Sequence, residues 1–162
     1  MTEITIRKAI LNDADGLTGL VREPGMFQHP VEQPPDATRE QVSRHLSLCL
    51  ADDSHSVYVA VEPSGEIAGY LSVHWLPYLM LTGPEGFVSE LFVRRAARSQ
   101  GVGGRLLQTA GAEARQRGCS RLSLLNMRSR ESYRRGFYNQ QGWQERPDAI
   151  NFLYRLPEET KP

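Results

Sequence analysis

The sequence predicts an α/β protein with one mixed β-sheet flanked by helices. Segments that alternate like strands and segments of helical periodicity follow one another in the order β-α-α-β-β-β-α-β-α-β-β. The stretch 86–107, GFVSELFVRRAARSQGVGGRLL, combines a β-rich apolar segment, a basic turn, a glycine cluster and the start of an amphipathic helix. The 162 residues suit one domain, which we predict to span 1–162.

The composition predicts an ordinary globular protein with a cytoplasmic location. No apolar run approaches the roughly 18 residues that a membrane helix needs. The N-terminus, MTEITIRKA, lacks the apolar core of a signal peptide. Cys49 and Cys119 are too few to form a metal site alone, so we expect no metal.

The net charge is zero, but the charges are distributed unevenly. The basic residues of 90–146 are all Arg and outnumber the acidic ones, whereas acidic residues prevail before residue 90. A local Arg cluster in a neutral chain favours a small polyanionic ligand over nucleic acid, because nucleic-acid binding usually shows a domain-wide basic excess. We therefore expect neither a nucleic-acid partner nor a membrane partner.

The first quarter of the chain predicts one strand and two helices separated by a long loop. Residues 4–7 alternate as a half-buried strand does, and Asp13 can cap a helix that ends near residue 22. Four prolines in 23–37 exclude a regular helix there and predict a loop. The sequence TREQ at 38–41 matches a capping box, so the second helix should begin there. His45 is interpreted as a histidine on the surface of that helix.

An antiparallel hairpin is predicted next. Strands at 56–62 and 66–75 flank the turn sequence Pro63-Ser64-Gly65. The loop at 76–86 contains Pro and Gly, yet it is rich in large apolar residues that something must cover. We expect it to form a pocket wall and a contact in a homodimer, although a monomer stays open.

The second half of the chain predicts alternating strands and helices. The expected elements are a strand at 87–93, a helix at 101–117 closed by Gly118, a buried strand at 121–125, a helix at 131–141 closed by Gly142, a short strand from Trp143, a last strand at 150–156, and a frayed tail at 157–162.

The glycine cluster after the strand at 87–93 predicts an anion-binding turn, because a helix N-terminus presents free N–H groups and a positive dipole end. A P-loop would need Lys and then Ser or Thr after its second glycine, and GVGGRL at 101–106 lacks both. The dinucleotide fingerprint GxGxxG would need a third glycine where Leu106 stands. The pattern that remains is Arg98-x-x-Gly101-x-Gly103.

Three motifs together resemble the GNAT family of N-acetyltransferases. The pattern Arg98-x-x-Gly101-x-Gly103 is similar to the family's pyrophosphate-binding motif, [QR]-x-x-G-x-[GA]. Asn126 followed by the FYNQQGW sequence at 137–143 is similar to the family's strand Asn and FYxxxGF helix end, with Trp in place of the usual Phe. The opening ITIRKAILNDADGL is similar to IRxAxxxDxxxL. The resemblance implies a GNAT-type fold with a splayed central sheet.

The resemblance also implies acetyl-CoA as co-substrate. The pantetheine arm would pair with the strand that follows Glu90, and the pyrophosphate would bind the glycine-rich turn. A splayed sheet leaves backbone groups unpaired, and a ligand amide can satisfy them. The segment 130–133 departs from the family's usual small polar residue at that point, so Ser132 or Tyr133 is expected to take its place. The implied cofactor-binding residues are Leu91, Phe92, Val93, Arg98, Ser99, Gln100, Gly101, Val102, Gly103, Gly104, Asn126 and Tyr133.

Acetyl transfer to an amine needs a deprotonated nitrogen, a polarised carbonyl and a proton for the leaving thiolate. Glu90 is the candidate base, directly or through a water, or alternatively an anchor for the substrate ammonium. Amides near Leu91 or Phe92 are candidates to polarise the carbonyl, and the family match implies Tyr138 as the acid. The predicted function is acetyl transfer from acetyl-CoA to a primary amine of a small molecule or peptide in a ternary complex. The alternative is a non-catalytic acyl-CoA-binding sensor on the same fold.

Overall fold

The structure is a computed structural model that describes residues 3–157. The chain divides into two compact units, Met1–Leu125 and Asn126–Pro162, which are described separately below. The strands are β1 (Thr5–Lys8), β2 (His55–Val61), β3 (Ile67–Leu76), β4 (Glu85–Val93) and β5 (Arg121–Leu124). The helices are α1 (Ala14–Val21), α2 (Gln28–Glu32), α3 (Pro35–Cys49), α4 (Val102–Gln116), α5 (Glu131–Arg134) and α6 (Phe137–Gln140).

The first unit is built on one mixed sheet with the strand order β1-β2-β3-β4-β5. The first four strands pair antiparallel, and β5 pairs parallel to β4. Helices α1 and α3 pack on one face, whose core includes Leu17, Leu46 and Val59. Helix α4 contacts the same strands, and its Glu113 bonds Tyr58 from the other face. The α/β class with a mixed, helix-flanked sheet is therefore confirmed.

Strands β4 and β5 stay together for only part of the length of β4. Their register begins at Glu85 opposite Arg121 and ends at Val88 opposite Leu124, whereas β4 continues to Val93. The buried Glu85 carboxylate holds the paired end, because it accepts bonds from the Arg121 side chain and, at 2.6 Å, from the Ser123 hydroxyl. β5 ends at Leu124, so beyond Val88 no described strand pairs with β4 on this side. The splay of the sheet that the GNAT resemblance implies stays a prediction.

A β-bulge in β4 reverses the direction of the side chains directly after Val88, where the pairing with β5 ends. Glu90 pairs with Ser72, but Val88 pairs with Val73, so Ser89 is an extra residue between them. In a regular strand residues two apart share a face, and the bulge instead puts Val88 on the α4 face and Glu90 on the α1/α3 face.

The segment predicted as a proline-rich loop contains helical structure, so that prediction was wrong in part. Helix α2 lies inside 23–37, and α3 begins at Pro35 rather than at the capping box. Proline suits the first helical turn, where its missing N–H is not needed. Thr38 is instead a buried residue of α3, and Arg22 donates to its hydroxyl (3.0 Å), to the Gln33 carbonyl (2.7 Å) and to the Pro30 carbonyl.

Two predictions for the second unit were also wrong. The helix predicted at 131–141 is two short helices, because Gly136 takes a left-handed conformation (φ 63°) between them. Trp143 and the segment 150–156 form no strand in the described part of the chain, and the Phe152 side chain is 89% exposed. Alternation alone does not make a strand, since a strand needs a hydrogen-bonding neighbour. Of the predicted tail, residues 158–162 lie outside the described residues.

A buried charged network fastens α4 to the sheet. The Glu113 carboxylate accepts bonds from the Tyr58 hydroxyl, from Ser56 Oγ at 3.0 Å and from Lys8 Nζ at 3.0 Å. Arg117 adds two bonds, from Nε at 3.0 Å and Nη2 at 2.8 Å. Burial by itself raises the pKa of Glu113, but the bonds from its four partners outweigh that effect, and the pKa lies below its usual range.

Replacing Glu113 with Gln should lower the free energy of unfolding by about 3 kcal/mol, because the neutral amide leaves buried donors without an anion. The pKa of Glu113 is lower in the folded protein than in the unfolded chain. Its contribution to the wild-type free energy of unfolding is therefore present above about pH 4.3, and it is lost as the pH falls through the pKa of the folded state. Urea unfolding between pH 3 and 7 measures both effects. Asp53→Asn, which alters an exposed partner of Arg117, is the control and should cost less than about 1 kcal/mol. An equal loss in both variants would contradict the assignment.

Candidate active site

A run of free amides forms the N-terminal end of α4. Within residues 3–157, the N–H groups of 99–104 donate to no backbone oxygen, and the first helical bond runs from Arg105 N to Gly101 O at 3.0 Å. Ser99 (φ 62°) and Gly101 (φ 77°) both take the left-handed conformation, which turns the chain so that successive amides converge. This run, called the amide cradle below, contains six of the twelve residues predicted to bind the cofactor.

Arg98 supports the amide cradle from behind. Its amide donates to the Arg95 carbonyl at 3.2 Å, so the free run starts one residue later than predicted. Its guanidinium donates from Nε to the Val93 carbonyl at 3.1 Å and from Nη2 to Met26 Sδ at 3.0 Å. The side chain thus fixes the end of β4 relative to the cradle.

The open edge of β4 leads directly into the amide cradle. Residues 90–93 pair with β3 on one side, and no described strand pairs with 89–93 on the β5 side. Leu91, Phe92 and Val93, which were predicted to pair with pantetheine, are half-buried residues of this edge. Backbone groups on such an edge need a partner, which a bound ligand or water can supply.

A groove with a volume of about 190 Å³ lies between the sheet and helices α1 and α3. Glu90 lines this groove beside Tyr70 and is an exposed residue, so water reaches its side chain. Partial desolvation by the surrounding protein raises the pKa of Glu90, while the neighbouring Tyr70 hydroxyl and the nearby charge of His45 oppose the rise.

The sequence did not reveal the neighbours of Glu90. Tyr70 and Ser72 lie on β3 at alternate positions, and a serine within this mostly apolar strand was the available signal. His45 and Cys49 are one helical turn apart on α3 and both line the groove. His45 is exposed, as predicted for a helix-surface residue, but its position beside Glu90 was not predicted.

In the second unit, the side-chain amide of Asn126 has hydrogen-bond partners for its oxygen but not for its nitrogen. Its Oδ1 accepts from Met127 N at 3.0 Å and from Ser132 Oγ at 3.3 Å. Its Nδ2 is buried and has no partner among the described residues. An orphaned buried donor is costly, so this atom is a candidate ligand contact. Tyr133, also predicted to bind the cofactor, donates its hydroxyl to Glu145 at 2.9 Å.

Tyr138 lies half-buried in an aromatic cluster of the second unit. Its ring centroid is 4.9 Å from that of Phe137 and 6.3 Å from that of Trp143. Burial raises the pKa of its hydroxyl, against the opposing charges of Arg130 and Arg135, so the phenol stays protonated at neutral pH. Its role as an acid stays a prediction.

An open strand edge that runs into a cradle of amides defines a protein that can hold an extended polar ligand with an anionic group. A family model described as the acetyltransferase (GNAT) family matches residues 23–137. The chain therefore belongs to the GNAT acetyltransferase family, whose general chemistry is acetyl transfer and whose members generally use acetyl-CoA. No curated protein matches the chain at a significant level.

Solved structures share this fold at low sequence identity. A transcriptional regulator from Bacillus halodurans C-125 is similar with a TM-score of 0.81 and 24% identity, over 94% of this chain and 100% of that one. An aminoglycoside acetyltransferase from an uncultured soil metagenomic sample has a TM-score of 0.76 and 20% identity, over 95% and 97%. A ribosomal-protein-alanine N-acetyltransferase from Brucella melitensis biovar Abortus 2308 has a TM-score of 0.74 and 20% identity, over 95% and 100%.

The residues present fit acetyl-CoA. The amide cradle suits a pyrophosphate, and a Cβ added at Gly101 would project into open space where a ligand can approach. The edge at 89–93 has backbone groups available for an amide-bearing chain. In the second unit, taken by itself, Asn126 Nδ2 needs an acceptor. Among the described residues, no group of three or more His, Cys, Asp or Glu could hold a metal ion, and no helix is long and apolar enough to cross a membrane.

Replacing Gly101 with Ala should weaken acetyl-CoA binding at least about tenfold, because the methyl group occupies the cradle and the left-handed backbone disfavours a side chain. Isothermal titration measures the dissociation constant. Gly65→Ala is the matched control, since Gly65 also has a positive φ (88°) and open space but lies in the β2–β3 turn. Both variants should lose about 1 kcal/mol of stability, and only Gly101→Ala should lose affinity. Equal affinity in the two variants would count against the cradle as a cofactor site.

Proposed function

We propose that this protein is an acetyl-CoA-dependent N-acetyltransferase that acetylates a primary amine of a small molecule or peptide by direct transfer in a ternary complex. The observation that carries the proposal is the position of Glu90, whose side chain lies in the groove while its backbone belongs to the open edge of β4. One strand thus offers a carboxylate to an acceptor and a free edge to a cofactor.

The proposed cofactor contacts follow the chain. The backbone of Leu91, Phe92 and Val93 pairs with the pantetheine arm, and the amides from Ser99 through Gly104 bind the pyrophosphate. Asn126 donates from Nδ2 to a pantetheine carbonyl. Arg98 holds the cradle against β4, and Tyr133 is the remaining proposed contact. Bound acetyl-CoA supplies a thioester, whose carbonyl carbon is open to attack by an amine.

Glu90 acts as the base of the proposed reaction. An alkylammonium has a pKa near 10.4 and is not nucleophilic, so it must lose a proton before it attacks. The raised pKa of Glu90 makes its carboxylate a better proton acceptor than an ordinary glutamate, directly or through a water. An anchor for the substrate ammonium is the other role that the carboxylate supports, and kinetics separates the two.

Tyr138 donates the proton that the leaving sulfur needs. The amine nitrogen forms its bond to the carbonyl carbon as the carbon–sulfur bond breaks, and the electron pair goes to sulfur. Amides near Leu91 or Phe92 stabilise the charge on the carbonyl oxygen. The phenol of Tyr138 is held in its protonated form by burial, which supports a donor role. A non-catalytic acyl-CoA sensor would need neither Tyr138 nor the carboxylate of Glu90.

Replacing Glu90 with Gln should lower kcat at least about 100-fold, because the amide cannot accept the proton. In the wild type, kcat/KM should rise as the pH passes upward through the raised pKa of Glu90, and this limb should vanish in the variant. Steady-state kinetics from pH 5 to 9, with acetyl-CoA affinity as the folding check, measures both effects. Glu66→Gln is the control, because Glu66 is an exposed residue in the turn between β2 and β3. A higher KM with unchanged kcat would instead identify Glu90 as an anchor.

Replacing Tyr138 with Phe should lower kcat about 10- to 100-fold and leave the acetyl-CoA dissociation constant unchanged, because the hydroxyl acts on the leaving group alone. The loss should shrink when acetyl-CoA is exchanged for a thioester with a more acidic thiol, since such a thiolate needs no proton. Tyr154→Phe, at a residue 83% exposed, is the control. A full rate in Tyr138→Phe would remove this residue as the acid.

A further inference from the structure

The groove that holds Glu90 has mostly apolar walls. Helices α1 and α3, the segment before α2 and strand β2 all contribute aliphatic or aromatic side chains to it. The apolar lining residues are Leu17, Val21, Phe27, Val42, Leu46 and Val57. The volume of about 190 Å³ corresponds to roughly six groups of water size, at about 30 Å³ each. An acceptor body of that size would meet apolar surface on most sides.

The charges of the groove are few and lie together. Among the described lining residues, Glu90 is the one carboxylate and His45 the one basic side chain, and no Lys or Arg takes part. Tyr70 and the buried Ser72 are neutral neighbours of Glu90 in the groove. One ammonium beside Glu90 therefore has a counter-charge, whereas a second charge further along the groove has none.

We infer that the acceptor is a monoamine with an apolar body, such as a primary alkylamine or arylalkylamine that carries no second charge. This inference rests on the proposed function, acetyl transfer to an amine. Each methylene of the acceptor that the groove covers strengthens transition-state binding roughly fourfold. A second ammonium, or a carboxylate or phosphate, at the far end loses water and gains no counter-charge, because the other polar lining residues there, Thr38 and Gln41, are neutral.

Three acceptors of nearly equal length test the inference. Heptylamine, 1,6-diaminohexane and 6-aminohexanoate each offer a primary amine, and they differ at the far end in carrying a methyl, an ammonium or a carboxylate. With acetyl-CoA saturating, kcat/KM for heptylamine should exceed that for either charged acceptor at least about tenfold. The value for the diamine is first halved, because it has two equivalent amines.

A variant of the groove sharpens the test. Val42 is a half-buried residue of α3 on the apolar wall, so Val42→Asp supplies the missing counter-charge and should lower the heptylamine-to-diamine ratio at least about tenfold. Val42→Thr, neutral and of similar shape, should lower the heptylamine rate without favouring the diamine. Ser47→Asp adds the same charge at an exposed position of α3 outside the groove and should leave the ratio unchanged.

The outcomes separate this inference from the proposed function. A charged acceptor used as well as heptylamine, or no acetylation of heptylamine by a protein that binds acetyl-CoA, overturns the apolar monoamine and leaves acetyl transfer to another amine standing. If the protein does not bind acetyl-CoA, although circular dichroism shows that it is folded, the proposed function itself is overturned. A ratio that moves equally in Val42→Asp and Ser47→Asp also overturns the inference, because the effect would then come from charge on the helix rather than in the groove.

Discussion

The unpaired edge of β4 beyond Val88 is the constraint on which the site depends. Backbone N–H and C=O groups that leave water need partners, and here the neighbouring strand β5 ends after four residue pairs. The Glu85 bonds to Arg121 and Ser123 hold β5 beside the first part of β4. The chain then continues from this edge, through the turn braced by Arg98, into the amide cradle. One continuous stretch of backbone therefore offers all of these polar groups.

The bulge at Ser89 gives the same strand a second use. It turns Glu90 toward the α1/α3 face, where the carboxylate lies beside Tyr70 in the groove, while the edge of the strand stays free. In the proposed reaction, the residue that meets the acceptor and the backbone that meets the cofactor are then immediate neighbours in the chain. Short range matters for transfer reactions, because catalysis gains much from holding two reactants in the right relative position.

The sequence predicted what is encoded locally. The glycine turn of the amide cradle, the hairpin and α4 follow from motif and periodicity, and all are present. The surroundings of Glu90 were not predictable in this way, because His45, Tyr70 and Glu90 come from three separate elements. The segment 150–156 has the alternation of a strand, but pairing depends on a neighbour that no local pattern specifies. The start of α3 at Pro35 was likewise not predicted, because the cluster of prolines around it indicated a loop.

Arg22 has a consequence for how this fold can diverge. Its single guanidinium gathers Pro30, Gln33 and Thr38, so the whole connection between α1 and α3 is tied to one point at the end of α1. The connection contributes to the groove but to none of the strand pairing. The part of this connection after Met26 can therefore change in length or composition without disturbing the sheet, provided that the Arg22 tether is kept. Met26 itself must stay, because it accepts a bond from Arg98, which braces the amide cradle. Such changes would alter the groove wall at Phe27 and Pro30 and leave the cradle as it is.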